Sequence, residues 1–155
     1  MEAVSDILNQ EFETLLSDVV ARHEQAGQVA TGKTRASFSH SLTGAQSGVF
    51  EGAFYSGALE RGRGPARGGG GGNSDFLDNL KQWIVAKGLN YGGNEKGLER
   101  LAKFFRWYIN KNGTKLFRSG QTEDILSTPI NDFSERVSNR VGALFANEIT
   151  NDIFN

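Results

Sequence analysis

Residues 54–65 read FYSGALERGRGP, and five consecutive glycines follow at 68–72. The stretch opens apolar and aromatic, then turns within a few residues to arginine and glycine, which is not how a core element reads. Tyr55, Ala58 and Leu59 are its last side chains suited to burial. Glu60, Arg61, Arg63 and Arg67 then alternate with glycines that have no side chain to pack. The reading is a hand-over from a folded scaffold, 1–60, to a flexible Gly/Arg-rich arm, 61–73, ahead of a helical half, 74–155. Loops carried on rigid scaffolds are where partner contacts concentrate.

At 155 residues the chain is expected to form a single domain able to bury a core. Its net charge of −1 implies neither bulk attraction to nucleic acid nor attachment to an anionic membrane. Without cysteine there is no disulfide framework, thiolate chemistry or cysteine-ligated metal. Glu2, Asp6, Glu11, Glu13 and Asp18 break up the apolar positions of residues 1–30, which do not read as a signal peptide. No apolar run approaches the ~20 residues that a membrane span needs.

Before the arm, Val4, Leu8, Phe12, Leu15, Leu16 and Val19 recur at spacings of three and four, which predicts one long helix over 3–26. Gly27 is its expected stop. The period then changes. Residues 35–41 (RASFSHS) and 47–54 (SGVFEGAF) alternate like two strands of a hairpin about Gly44, with Phe38 and Phe50 on the buried face. After the arm, a helix capped by Ser74 or Asp75 is predicted to run to Lys87 on the stripe Leu77, Leu80 and Ile84, closed by Gly88. Leu98, Leu101, Ala102, Phe105 and Ile109 define another, ending before Gly113, and residues 113–122 read as a loop. A last helix is expected from Thr128 and Pro129 almost to the C-terminus, with Leu144 and Ile149 buried. The fold class is therefore α+β: long terminal helices and two shorter ones packed on a small antiparallel β-sheet.

Residues 27–34, GQVATGKT, satisfy the P-loop pattern letter for letter. That chemistry needs a strand before the glycine loop and a helix after it. Here a helix precedes, and the following residues alternate like a strand, so the match reads as a helix stop and a turn. His23 and His40 lack the spacing of a metal pair. Glu51 and Glu60 are not placed across a cleft by anything in the pattern, and no G-x-S-x-G elbow occurs. Residues 112–114 match a glycosylation acceptor that matters only in a secreted chain. The reading is non-enzymatic, with no cofactor and no metal. Arg61, Arg63 and Arg67 also admit a small nucleic-acid-binding module working through the arm.

Two further stretches carry a resemblance. TGKTRASF, 31–38, reads as a glycine turn entering a first strand. Within YSGALERG, 55–62, Tyr55 precedes Leu59, Glu60 and Gly62, an aliphatic–Glu–x–Gly signature. This order resembles the tail-completion, or head–tail joining, proteins of tailed bacteriophages. The likeness covers about the first half of the chain, and residues 89–128 have no counterpart in it. It implies a virion protein, made in the host bacterial cytoplasm, that forms a homo-oligomeric ring in the neck or tail. Its partners would be copies of itself and portal, adaptor or tail-tube proteins, with nucleic acid only passing through the lumen. Phe104, Trp107 and Phe117 exceed what one stripe of a monomer hides, which marks protein contact. Tyr55, Leu59, Glu60, Arg61, Arg63, Arg67, Trp107 and Phe117 are the partner-binding candidates.

Overall fold

The structure, a computed structural model, describes residues 3–66 and 74–154. Its elements in chain order are α1 (Val4–Gln25), α2 (Lys33–Ala36), β1 (Ser39–Gly44), β2 (Ser47–Glu51), α3 (Gly57–Arg61), α4 (Ser74–Ala86), α5 (Glu95–Asn112), α6 (Lys115–Ser119) and α7 (Ser127–Phe154). Long terminal helices and an antiparallel hairpin make the chain α+β, as its periodicities predict. It divides into two compact units that do not follow the expected 1–60 and 74–155 halves. One comprises Met1–Gly27, Thr34–Phe54 and Asp124–Asn155, and the other Gln28–Lys33 and Tyr55–Glu123. The division cuts across chain order because α7 returns to pack on α1.

In the first unit α1 lies between the hairpin and α7. Its stripe is wider than the predicted one: Ile7, Leu8, Phe12, Leu15 and Val19 are buried, and Glu11 and His23 are buried with them. Phe12 is the hinge of this packing. Its ring stacks on His40 of β1 at 5.6 Å between centroids and tilts against Phe133 of α7 at 4.7 Å. Gly48 on β2 makes room for it, since a Cβ there would run into the Phe12 ring. Phe38 is buried, and its ring stacks on Phe50 at 6.0 Å, so both predicted hairpin residues face inward. The first strand starts later than expected, however. Lys33–Ala36 is a helical turn, and pairing begins at Ser39 opposite Glu51.

The start of α7 is also corrected. Thr128 does not cap it; the Thr128 N–H donates instead to the Asp124 carboxylate at 3.0 Å, and Arg22 of α1 binds the same carboxylate at 2.8 Å. Pro129 is buried. Beyond Val141 the burial fades: Leu144 is half-buried and Ile149 is 59% exposed, so the stripe does not pack to its end.

In the second unit α4 and α5 pack on each other. Leu80, Ile84, Leu98 and Ala102 form the core, with Trp83 set edge-on to Phe105 at 5.5 Å. Gly88 follows the end of α4 as predicted, and the Leu89 N–H returns to the Ile84 carbonyl at 3.1 Å. Asn94 caps α5, accepting from the Gly97 N–H at 2.8 Å.

Candidate functional site

The signature stretch is not a hand-over to free chain. Residues 57–61 form a helical turn, and the residues after it are tied down one by one. Gly62 has φ +74°, a left-handed conformation that suits glycine. A Cβ there would collide with the Phe117 backbone and the Thr114 hydroxyl. The Arg63 N–H donates to Thr114 Oγ1 at 3.0 Å, and the Thr114 N–H donates back to the Arg63 carbonyl at 2.9 Å. The Ala66 N–H reaches the Asn110 carbonyl at 2.9 Å. Upstream, the Leu59 carbonyl accepts from Gln28 Nε2 at 2.8 Å, and the Glu60 carbonyl from the Glu123 N–H at 2.8 Å. Together these bonds satisfy polar backbone that would otherwise need water.

This corrects the expected arm over residues 62–66, which dock within their own chain on the end of α5 and on α6. The turn 115–119, expected as loop, is the floor of that cradle. Residues 89–128, which the resemblance leaves uncovered, thus supply the surface on which its signature rests. Arg67 and the glycines 68–72 lie outside the described residues.

The partner-binding candidates divide accordingly. Leu59 is half-buried, and Glu60, a carboxylate, is buried more deeply than the apolar residues around it. Tyr55 is 40% exposed, and Arg61 is exposed. The half-buried Arg63 donates to Asn110 Oδ1 at 3.2 Å and lies over the Phe76 ring at 4.1 Å, which makes it part of the cradle. Phe117 packs its ring against Gly64 and Gly113, yet stays 46% exposed. Trp107 is 55% exposed on α5, beside Phe104 at 52%. Thr114 and Asn110 carry no local signal in the sequence, because their role is set by chain 47 to 51 residues away.

Charge is sorted between the two units. The first holds four Lys/Arg against twelve Asp/Glu, net −8; the second holds thirteen against six, net +7. All four arginines of the acidic unit are engaged within it: Arg22 with Asp124, Arg35 with Glu24, and Arg136 and Arg140 with Glu11. The surplus on that unit is therefore carboxylate. Burial works to raise the Glu11 pKa, but hydrogen bonds and charge from Arg136 and Arg140 outweigh it and hold the carboxyl below its ordinary value.

The P-loop match is laid out as α1, a turn and the single helical turn α2, with no strand ahead of it among the described residues. Among those residues, no group of three His, Asp or Glu side chains is arranged to hold a metal ion. Nor is any helix among them long and apolar enough to cross a membrane. Comparison with protein-family models, curated proteins and solved structures finds no match.

Proposed function

We propose that this chain is a structural subunit of a ring in the neck or tail of a tailed bacteriophage, acting through contacts between copies rather than through catalysis. The observation that carries the reading is the sorting of charge into a −8 and a +7 unit. A subunit that meets its neighbours head to tail needs two different surfaces that attract each other, and one surface of each sign supplies them. Exposed large apolar side chains occur on both units, Ile149 and Ile153 on one, Phe104 and Trp107 on the other, and such side chains mark contact surfaces. The phage assignment itself rests on the resemblance of Tyr55 and the Leu59–Glu60–x–Gly62 signature. Its location in the virion, and portal, adaptor or tail-tube proteins as partners, belong to the same proposal.

The test is the native mass of the full chain by sedimentation velocity, followed by electron microscopy of any assembly. Closed rings are expected. A monomer at every concentration would remove the ring reading. The basic unit favours a second reading, a nucleic-acid-binding module. A salt titration of oligonucleotide binding separates the two, because phosphate contacts give a steep dependence on salt.

A further inference from the structure

Helix α5 has two faces. Leu98 and Ala102 look into the core with α4. On the other side Arg100, Phe104, Trp107 and Lys111 follow one another at spacings of three and four, and Lys103 stands four before Trp107, so they share a stripe. Phe104 and Trp107 are about half exposed, their rings 6.2 Å apart, and Lys111 lies over the Trp107 ring at 5.2 Å. The stripe is aromatic in the middle and net cationic at its borders, where Lys103 also pairs with Glu99 at 2.7 Å.

The far end of α7 has the converse make-up. Phe145, Ile149 and Ile153 stand four residues apart and are 46%, 59% and 66% exposed. Glu148 and Asp152 fall three residues after Phe145 and Ile149, on the same side of the helix. This ridge is apolar, with carboxylates along one flank. We propose that the α7 ridge of one copy seats on the α5 stripe of a second copy, an inference that rests on the ring reading and names its contact. Pairing two α5 stripes, or two α7 ridges, would set like charges against each other, which suppresses that contact. Only the unlike pairing buries both apolar centres and sets the anionic flank of the ridge beside the cations of the stripe. Such a contact is heterologous and leaves one stripe and one ridge open on every pair, so it propagates.

A nucleic acid is the less favoured occupant of the stripe. Lys111 and Arg118 already lie over the Trp107 and Tyr108 rings, on faces where bases would stack. The same chain also carries an anionic ridge of matching make-up.

Two charge-reversed chains test the contact, Glu148→Lys with Asp152→Lys, and Arg100→Glu with Lys103→Glu. Each alone should associate at least about tenfold more weakly, since like charges then face each other. An equimolar mixture should recover assembly, because each chain then presents what the other lacks. A photoreactive phenylalanine analogue at position 107 should cross-link to the peptide spanning 145–153 of another copy, shown by mixing isotope-labelled and unlabelled chains. Circular dichroism checks that every variant is folded. If wild-type chains assemble but the reversed chains do so equally well, or the cross-link lands elsewhere, the contact is wrong while the ring reading stands. A wild-type chain that stays monomeric overturns both. If that monomer binds a DNA oligonucleotide and Arg100→Glu/Lys103→Glu abolishes the binding, the stripe is a nucleic-acid surface.

Discussion

Gly62 and Gly57 lie five residues apart and make opposite demands. At Gly62, φ is +74° and a Cβ meets Phe117 and Thr114; at Gly57, in α3, a Cβ meets nothing within 4 Å. Gly62→Ala should therefore destabilise by more than ~1 kcal/mol, whereas Gly57→Ala should be neutral or add about 0.4–1 kcal/mol. Urea unfolding of the two variants checks this, and equal effects would mean the cradle does not hold residue 62. His23 and Glu11 set the acid response. Among the described residues neither nitrogen of the buried His23 has a hydrogen-bond partner, and burial holds its pKa below the ordinary 6.5. A depressed pKa means the unfolded chain takes up the proton first. The contribution of His23 is thus fully present above pH 6.5 and is lost as pH falls through its folded value. Glu11 behaves alike below its ordinary 4.5. Stability should fall in two stages on acidification, with His23→Leu removing the first and Glu11→Gln weakening the second, as read by unfolding at a series of pH values.

At the scale of elements, the two terminal helices differ in what their stripes do. Leu15 on α1 is 2% exposed, so Leu15→Ala should cost ~2–5 kcal/mol. Ile149→Ala on α7 should stay within about 0.5 kcal/mol, because the side chain is already 59% exposed. Melting curves of the two variants decide it, and comparable losses would mean the end of α7 is covered in the free chain. The periodicity of α7 is continuous in sequence, which is why Leu144 and Ile149 read alike; it reports which residues share a face and not where the opposing surface stops. Residues 113–122 were illegible for a related reason. Lys115–Ser119 is a single turn, capped by Thr114, too short for any period to register. The P-loop match belongs at this scale too. Lys33 opens the one-turn helix α2 and its side chain is exposed, so Lys33→Ala should leave melting and assembly unchanged. Nucleotide hydrolysis lost on that substitution would make the match a working phosphate site after all.

For the molecule as a whole, a net charge of −1 conceals units of −8 and +7. Association between copies should then weaken markedly between about 0.05 and 0.5 M salt, as the screening length shrinks from roughly 14 to 4 Å. Sedimentation at the two concentrations reads this directly. An assembly that strengthens with salt would point to apolar contacts alone.

The sequence by itself determined where the long helices run, that Phe38 and Phe50 face inward, and that Gly88 follows the end of α4. Each of these follows from a local period or a terminal residue within a few positions. Only the tertiary structure decided that Glu11 is buried, since the arginines that satisfy it lie 125 and 129 residues away. It likewise decided that Gly62–Ala66 is held rather than loose, and which charges share a unit. Net charge is a sum along the chain, blind to order, whereas a surface potential depends on which segments the packing brings together.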